Sequence, residues 1–470
     1  VVQRMVQSEA AGVGFSINPV TGRLNEMILA ANFGLGESVV SGEAEVDHFV
    51  IDKAARCVVE SRIARKSRKV IGIPGGTAEV PLTAEESAQS CLAPSQIAQL
   101  TELLIRVEQS YRFPQDIEWG FAEGHLHLLQ SRPITTIPPR WTRDESAERF
   151  PNVITPLTWD FVESGFHRSL RYSFQLMGFP PFQGKWFGMH GHYIYGNQNV
   201  VELYGRRAPF TVRTIEELLA AIPRLRDEFR WVQELPVLWS RDLDYYLIKI
   251  GEFMAEPLSS KSLREVWEFV LHVNELGAQY FLPNIAISIT HSTLYRLLHR
   301  LLQMAIGPDA AHALFDHLMA YCETKTGTIN KELFEMALTV RDHPVLAGLL
   351  QERSSRELIE DRVLENFPAF QARFQRFLRD HGHREVDFDA YAPTWIEAPE
   401  VVLDNLRLIL QTPMEQSPAE KERALKIRMQ QAESELFQKL PPDLHFFFFE
   451  ILRLARVYTS LDDLEQYQTT

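Results

Sequence analysis

Cysteine is scarce: Cys57, Cys91 and Cys322 lie too far apart for a disulfide framework or a zinc ligand set. A reducing cytoplasm is the compartment that this usage fits. No apolar run approaches the ~20 residues needed to span a bilayer. The densest aromatic cluster, Phe446 to Phe449, is closed off by His445 and Glu450. No membrane segment is expected. Positive charge is also in short supply, with 48 Lys and Arg against 62 Asp and Glu and a formal net charge of -14. Such a surface repels nucleic acid and anionic lipid over most of its extent, whereas a nucleotide needs only a local positive site. There is no P-loop, no dinucleotide fingerprint and no repeat of fixed period. No signal-like leader precedes Val1, and the first residues, Val1 to Met5, read as a strand, so the start is expected to be a cut rather than a natural beginning.

At 470 residues the chain is too long for one hydrophobic core, and at least two domains are expected. Up to residue 53, short β-rich runs alternate with glycine turns: Gly12 to Ile17, the turn Asn18-Pro-Val-Thr-Gly22, then Met27 to Asn32. Between Pro94 and Arg112 the apolar positions Ile97, Leu100, Leu104, Val107 and Tyr111 recur at helical spacing, with Ser95 a candidate cap. Asp116 to Phe121 and His125 to Gln130 then alternate around Glu123-Gly124, the pattern of a hairpin. Thr135 to Pro139 reads as a linker. Beyond residue 150 long amphipathic runs take over: Thr214 to Gln233, Ser259 to Phe281, His291 to Met304, Glu357 to His381 with a break or kink at Pro368, and Ala419 to Leu440. A small β element is expected at Gly191 to Tyr204, with Tyr193-Ile-Tyr and Val200-Val-Glu-Leu as its strands.

Two places could carry chemistry. Strand side chains two apart share a face about 7 Å from one another, so Asp116 and Glu118 project together, as do Gln130 and Arg132 on the returning strand. The pairing can gather two carboxylates, an amide oxygen and a guanidinium; oxygen ligands suit Mg²⁺ and arginine suits phosphate. Spacing alone is equally met by a solvated hairpin face with a routine cross-strand ion pair. The second place is Asn32-Phe-Gly-Leu-Gly-Glu37, where glycines could bring backbone close to a phosphate while Glu37 projects into the site. The basic run Arg62, Arg65, Lys66, Arg68, Lys69 reads as a solvated loop or strand edge. His190-Gly-His192 and His381-Gly-His383 lack further ligands nearby, and a turn or a buried hydrogen-bonded histidine is their default.

Five ordered motifs carry a resemblance: Val2-Gln-Arg-Met-Val6, Gly12-Val-Gly-Phe-Ser-Ile-Asn-Pro19, Asn32-Phe-Gly-Leu-Gly-Glu-Ser-Val-Val-Ser-Gly42, Gln115-Asp-Ile-Glu-Trp-Gly120 and Leu129-Gln-Ser-Arg-Pro-Ile134. In that order they resemble the ATP-grasp domain of phosphoenolpyruvate synthases, pyruvate phosphate dikinases and rifampicin phosphotransferases. The resemblance implies ATP and Mg²⁺ as cofactors, with Glu118 and Gln130 holding the metal, Arg132 on the phosphates and Glu37 at the transferring phosphoryl. It also implies that Gln3 to Met5 form the hinge against adenine, that Glu9 touches the ribose and that Asp116 is support. In this family ATP yields AMP, and a histidine on a swivelling domain carries phosphate to the acceptor. That histidine is not found: the look-alike Thr290-His-Ser-Thr293 lacks the flanking glycines and alanines, and His291 reads as an ordinary helix-terminal histidine. The preceding lobe with its phosphate-gripping lysine and arginine is likewise expected to be missing.

The helical part is similar, more loosely, to the middle domain of rifampicin phosphotransferases, through Asn152-Val-Ile-Thr-Pro-Leu-Thr-Trp159, Gly382-His-Arg-Glu385 and Pro393-Thr-Trp395. It implies an acceptor-binding or scaffold domain. No alternating strand and helix series of the barrel used by pyruvate-converting members is present. The expectation is thus a partial α+β ATP-grasp lobe at 1–136, a linker at 137–150 and a mainly α-helical domain with a small β element at 151–470. The function expected is an ATP- and Mg-dependent phosphotransferase, with pyruvate or a rifamycin-like small molecule as acceptor and no nucleic-acid or membrane partner. A non-catalytic nucleotide-binding or scaffold protein that kept the fold is the alternative.

Overall fold

The computed structural model describes residues 3–42, 45–144, 146, 150–181, 183–207, 214–385, 387–412 and 417–469. The chain divides into two compact units. The first comprises Val1–Glu145, Gly178–Gly188 and Tyr195–Ala208; the second comprises Ser146–Met177, Met189–Ile194 and Pro209–Thr470.

The first unit is built on an antiparallel six-stranded sheet in the order β4-β3-β2-β1-β7-β8. Its strands are β1 (Ala10–Phe15), β2 (Glu26–Phe33), β3 (Asp47–Asp52), β4 (Cys57–Arg62), β7 (Gln115–Ala122) and β8 (His125–Pro133), with β5 (Arg68–Ile73) and β6 (Gly76–Pro81) forming a separate hairpin. Strand side chains alternate faces. Met27, Leu29, Phe49, Ile51, Ile117, Trp119 and Phe121 go to one face and pack under Ile97, Leu100, Leu104 and Val107 of helix α3 (Pro94–Tyr111). Burying each such side chain is worth about 1.5–3 kcal/mol, so this apolar layer is what fixes the register of the whole sheet. Gly12 is dictated by packing: a methyl group there would lie 2.0 Å from the carbonyl oxygen of Ala30.

The helical periodicity between Pro94 and Arg112 becomes α3, but Ser95 is not its cap. Proline at the first position starts the helix, and the Gln96 side chain reaches back to the Ala93 amide at 2.8 Å. No strand forms at residues 3–7, and the first two residues of the strand expected at Val1 to Met5 lie outside the described residues. Two positive-φ residues, Glu123 (φ 51) and Gly124 (φ 74), close the β7–β8 hairpin where the sequence placed its turn.

In the second unit the described residues are mostly helical. The expected break at Pro368 is present: helix Ser355–Glu360 ends, a 3-10 turn spans Val363–Asn366, and Pro368 opens helix Pro368–His381. The expected small β element is present as strands Phe187–His190 and Tyr193–Asn197, but Val200 to Leu203, which belong to the first unit, lie in helix Gln198–Arg207 rather than in a strand. Asn197, just ahead of the helix, accepts the Asn199 amide on its side-chain oxygen at 3.1 Å, the contact of a helix N-cap, and Asn199 is itself anchored to the Pro138 carbonyl at 2.8 Å. His291 is not helix-terminal; it lies inside helix Asn284–Ile306, with Nδ1 3.4 Å from Asp462.

Candidate nucleotide site on the sheet face

The face of the sheet turned away from α3 collects the polar residues. On β7 and β8 Asp116 stands opposite Arg132 and Glu118 opposite Gln130. The pairing slips by one residue between Glu118 and Trp119, which leaves Leu129 as an extra residue. Such a bulge bends the strand and releases ladder groups, and the Leu129 carbonyl accepts a hydrogen bond from Gln3 Nε2 at 3.2 Å. The single-residue slip is invisible in a pattern of alternating hydrophobicity.

Asp116 is buried and its Oδ2 accepts from Arg132 Nε at 2.7 Å, while Arg132 itself is exposed. This hydrogen bond, reinforced by the carboxylate charge, raises the guanidinium pKa further above its ordinary value, so the positive charge is permanent. The bond engages Nε; the terminal nitrogens of the fork are the part that a phosphate oxygen can use. Glu118 is half-buried and its cross-strand neighbour Gln130 is exposed, so an oxygen from each can meet at one point above the sheet. Among the described residues no group of three or more His, Cys, Asp or Glu side chains could hold a metal ion without help. One carboxylate and one amide oxygen fit Mg²⁺ in its usual arrangement, where phosphates and water complete the octahedron.

Glu37 reaches the same face by a different route. After β2 the chain turns at Gly34 (φ 79) and enters the four-residue helix α1 (Glu37–Val40). A methyl group built on Gly36 would lie 3.4 Å from Ala11 Cβ. Ala11 shares its face with Val13, the β1 partner of Glu118, so α1 sits above the carboxylate side of the sheet. Glu37 is exposed. Gly34 itself serves a structural need, since a side chain there would collide with the Val70 carbonyl at 2.1 Å. The strand-free segment from Gln3 to Glu9 is fastened at both ends. Gln3 holds Leu129, while Glu9 donates its amide to Phe121 O at 2.8 Å, accepts from Gly34 N at 2.8 Å and receives the Glu123 amide on its carboxylate at 3.4 Å. Met5 between them is 61% exposed. The fold thus gathers Asp116, Glu118, Gln130, Arg132 and Glu37 on one face and ties Gln3 and Glu9 to its hairpin and loop.

The basic run divides. Arg68 pairs with Glu79 at 2.7 Å and Lys69 with Glu86 at 3.3 Å, both at the surface, as a solvated edge would. Lys66 does not fit that reading: it is fully buried, and its ammonium is saturated by Asp47 Oδ1 at 2.6 Å, Gln89 O at 2.8 Å and Ala64 O at 3.1 Å.

In the helical unit the segment 152–159 lies against Asp387 and Asp389, which are more than two hundred residues away and fall between the other two resemblance segments. Asn152 Nδ2 donates to Asp387 at 2.7 Å, and Asp389 accepts from the Thr155 amide at 2.6 Å, Thr155 Oγ1 at 3.0 Å and Thr158 Oγ1 at 2.7 Å. Burial works against the Asp389 charge, but these donors and the Tyr391 amide outweigh it and hold the pKa at about 2. Neighbouring Glu385 has no such donors; burial first, then Asp387 and Asp389, push it up to about 7. Sequence reasoning missed Asp387 and Asp389 because nothing local signals a contact across that separation, and it named Glu385 only within a resemblance segment. A titration result follows. Unfolded Glu385 ionises near 4.5 whereas the folded group holds its proton to about 7, so its stabilising contribution is present below pH 4.5 and is lost as pH rises through 7. Glu385→Gln is therefore expected to raise the melting temperature of the helical unit at pH 8 and to give no advantage at pH 4, as read by calorimetry. An advantage of equal size at both values would contradict it.

The histidine pairs follow their default. His190 and His192 flank a tight turn in which Gly191 (φ 54) and His192 (φ 65) are left-handed. His381 is buried, with Nδ1 2.7 Å from Tyr467 OH and Nε2 3.1 Å from Glu332, and His383 Nε2 lies 3.2 Å from Tyr467 O. Trp395 of the third resemblance segment stacks on Phe377 and carries the Arg384 guanidinium 5.1 Å from its ring centre.

Comparison with known proteins gives matches to two segments of the chain. Residues 1–150 match the pyruvate phosphate dikinase AMP/ATP-binding domain, and residues 280–463 match the rifampicin phosphotransferase fourth domain. The chain is 25% identical over 429 residues to the uncharacterized phosphotransferase YvkC of Bacillus subtilis (strain 168), covering 87% of this chain and 49% of that protein. It is 25% identical over 488 residues to the prodigiosin synthesizing transferase PigC of Serratia marcescens, covering 88% of this chain and 53% of that protein. Over 157 residues it is 40% identical to the phosphoenolpyruvate synthase of Pyrococcus furiosus (strain ATCC 43587 / DSM 3638 / JCM 8422 / Vc1), covering 32% and 19%. It therefore spans about half the length of the two relatives that match it along most of its extent. With one segment matching the AMP/ATP-binding domain family and another matching the rifampicin phosphotransferase fourth domain, the chain is similar in both parts to the phosphoenolpyruvate synthase and pyruvate phosphate dikinase-like group.

Proposed function

We propose that the sheet face binds Mg²⁺ and ATP as one lobe of an ATP-grasp site, and that the protein is an ATP-dependent phosphotransferase of the synthase or dikinase type. The observation that carries this reading is the opposition of Glu118 to Gln130 beside the Asp116–Arg132 pair, a hard oxygen set next to a fixed guanidinium. Glu118 and Gln130 hold the metal in this reading, which supplies charge neutralisation on the phosphates. Arg132 offsets the negative charge on the phosphate oxygens, and Glu37 acts at the transferring phosphoryl group. The Gln3 to Met5 segment forms the adenine hinge and Glu9 faces the ribose. Domain limits at 1–136, 137–150 and 151–470 and a cytoplasmic location belong to the same reading; no described helix is long and apolar enough to cross a membrane.

ATP is cleaved to AMP; one of its two phosphoryl groups passes through a phosphohistidine domain to a small-molecule acceptor, and the other is released to water as inorganic phosphate. Among acceptors, the match of residues 280–463 to a rifampicin phosphotransferase domain and the likeness to a prodigiosin synthesizing transferase favour an antibiotic-like or other small metabolite over pyruvate. Incubated with MgATP and either pyruvate or a rifamycin, the whole natural protein is expected to form AMP only when magnesium is present. ADP as the sole nucleotide product would overturn the dikinase-type reading.

A further inference from the structure

The β5–β6 hairpin stands outside the six-stranded sheet, and nothing in the site as described gives it a task. Its base is fixed by the buried Lys66 ammonium, by the Leu82 amide on Ser67 O at 3.1 Å and by the Lys69–Glu86 pair. From that base β5 runs along the glycine segment ahead of Glu37. The Leu35 amide donates to Val70 O at 2.8 Å, Gly34 bridges to Val70, and Asn32 Nδ2 donates to Arg68 O at 3.4 Å. On β6, Thr77 Oγ1 donates to Glu37 Oε2 at 3.3 Å. Gly72 of the same hairpin meets Gln7, since a methyl group there would fall 2.2 Å from Gln7 Oε1. One hairpin therefore touches both the segment from Met5 to Glu9 and the Glu37 carboxylate.

We propose that the β5–β6 hairpin is a positioning strap for the phosphoryl end of the site, and that Thr77 is the positioning residue that orients Glu37. An exposed glutamate at the head of a four-residue helix has several staggered rotamers within reach. A hydroxyl donor on a strand anchored through Lys66 and Val70 selects one of them before nucleotide arrives, and alignment of a reacting group is worth far more in rate than in binding. The inference rests on the reading of Glu37 as the group at the transferring phosphoryl.

The test is a cycle of variants in the whole natural protein, read as AMP formation from MgATP. Thr77→Val, isosteric and at an exposed position, is expected to lower kcat roughly tenfold, the size of one lost hydrogen bond to a charged group, with KM for MgATP unchanged. Thr77→Ser, which keeps the hydroxyl, restores kcat. In a Glu37→Gln background Thr77→Val adds no further loss. A kcat unchanged in Thr77→Val beside a crippled Glu37→Gln would overturn the strap alone, as would a full tenfold loss on top of Glu37→Gln. If Glu37→Gln by itself leaves kcat intact, the phosphoryl-site reading falls and the strap falls with it.

Discussion

Replacing Glu118 by Ala in the whole natural protein is expected to lower magnesium-dependent AMP formation by at least about a hundredfold, because the metal that neutralises the phosphates in the transition state then loses a fixed protein ligand. The side chain is half-buried and its β7 neighbours Ile117 and Trp119 supply the packing, so the sheet should persist and the circular dichroism spectrum should not change. Gln130→Ala, which removes a neutral oxygen, should cost less than Glu118→Ala at saturating magnesium. Undiminished AMP formation by Glu118→Ala would sink the metal-ligand assignment. Part of the loss should return at raised magnesium concentration if the residue binds the ion, and none should return if its role is structural.

A second large effect is expected far from the nucleotide face. Asp47 and Lys66 are both fully buried, and Asp47 also receives the Ala64 amide at 2.9 Å and the Cys91 amide at 2.8 Å. Removing one partner of a buried pair leaves an uncompensated charge, at a cost of about 3–5 kcal/mol. Asp47→Ala is expected to reach that range, since it strands two backbone amides together with an ammonium left only with carbonyl partners. Lys66→Met should cost less, because the remaining carboxylate keeps both amide donors. The urea dependence of amide exchange at Phe49 to Ile51 in β3 reads both. A loss below about 1 kcal/mol in Asp47→Ala, or the reverse order of the two variants, would contradict this account. The same variants bear on the β5–β6 hairpin, whose first strand begins two residues after Lys66.

What the sequence discloses depends on how far apart the determining residues lie. The β7–β8 hairpin is legible because its signals are local: alternation over a few residues and the Glu123-Gly124 turn. The register that sets Glu118 opposite Gln130 depends on the Leu129 bulge, and the sheet order depends on packing under α3; neither has a local signature. The break at Pro368 follows from proline chemistry alone, whereas Val200 to Leu203 look like a strand by composition and lie in a helix that starts behind Asn197, whose side chain accepts the Asn199 amide. Lys66 inside a run of surface basic residues gives no hint of burial, since its partner Asp47 lies on β3, 19 residues earlier in the chain. The candidate site residues were accessible through ordered motifs, while the contacts of Asp389 with Thr155 and of Asp387 with Asn152 required the fold.

The central claim is that a metal–nucleotide complex sits above β7 and β8. Manganese in place of magnesium tests it directly, because the paramagnetic ion broadens nearby amide resonances in proportion to proximity. With ATP present, the account predicts the strongest broadening at the amides of Glu118, Gln130 and Arg132, weakened in Glu118→Ala and absent when ATP is omitted. Broadening centred elsewhere, or equal with and without ATP, would contradict it.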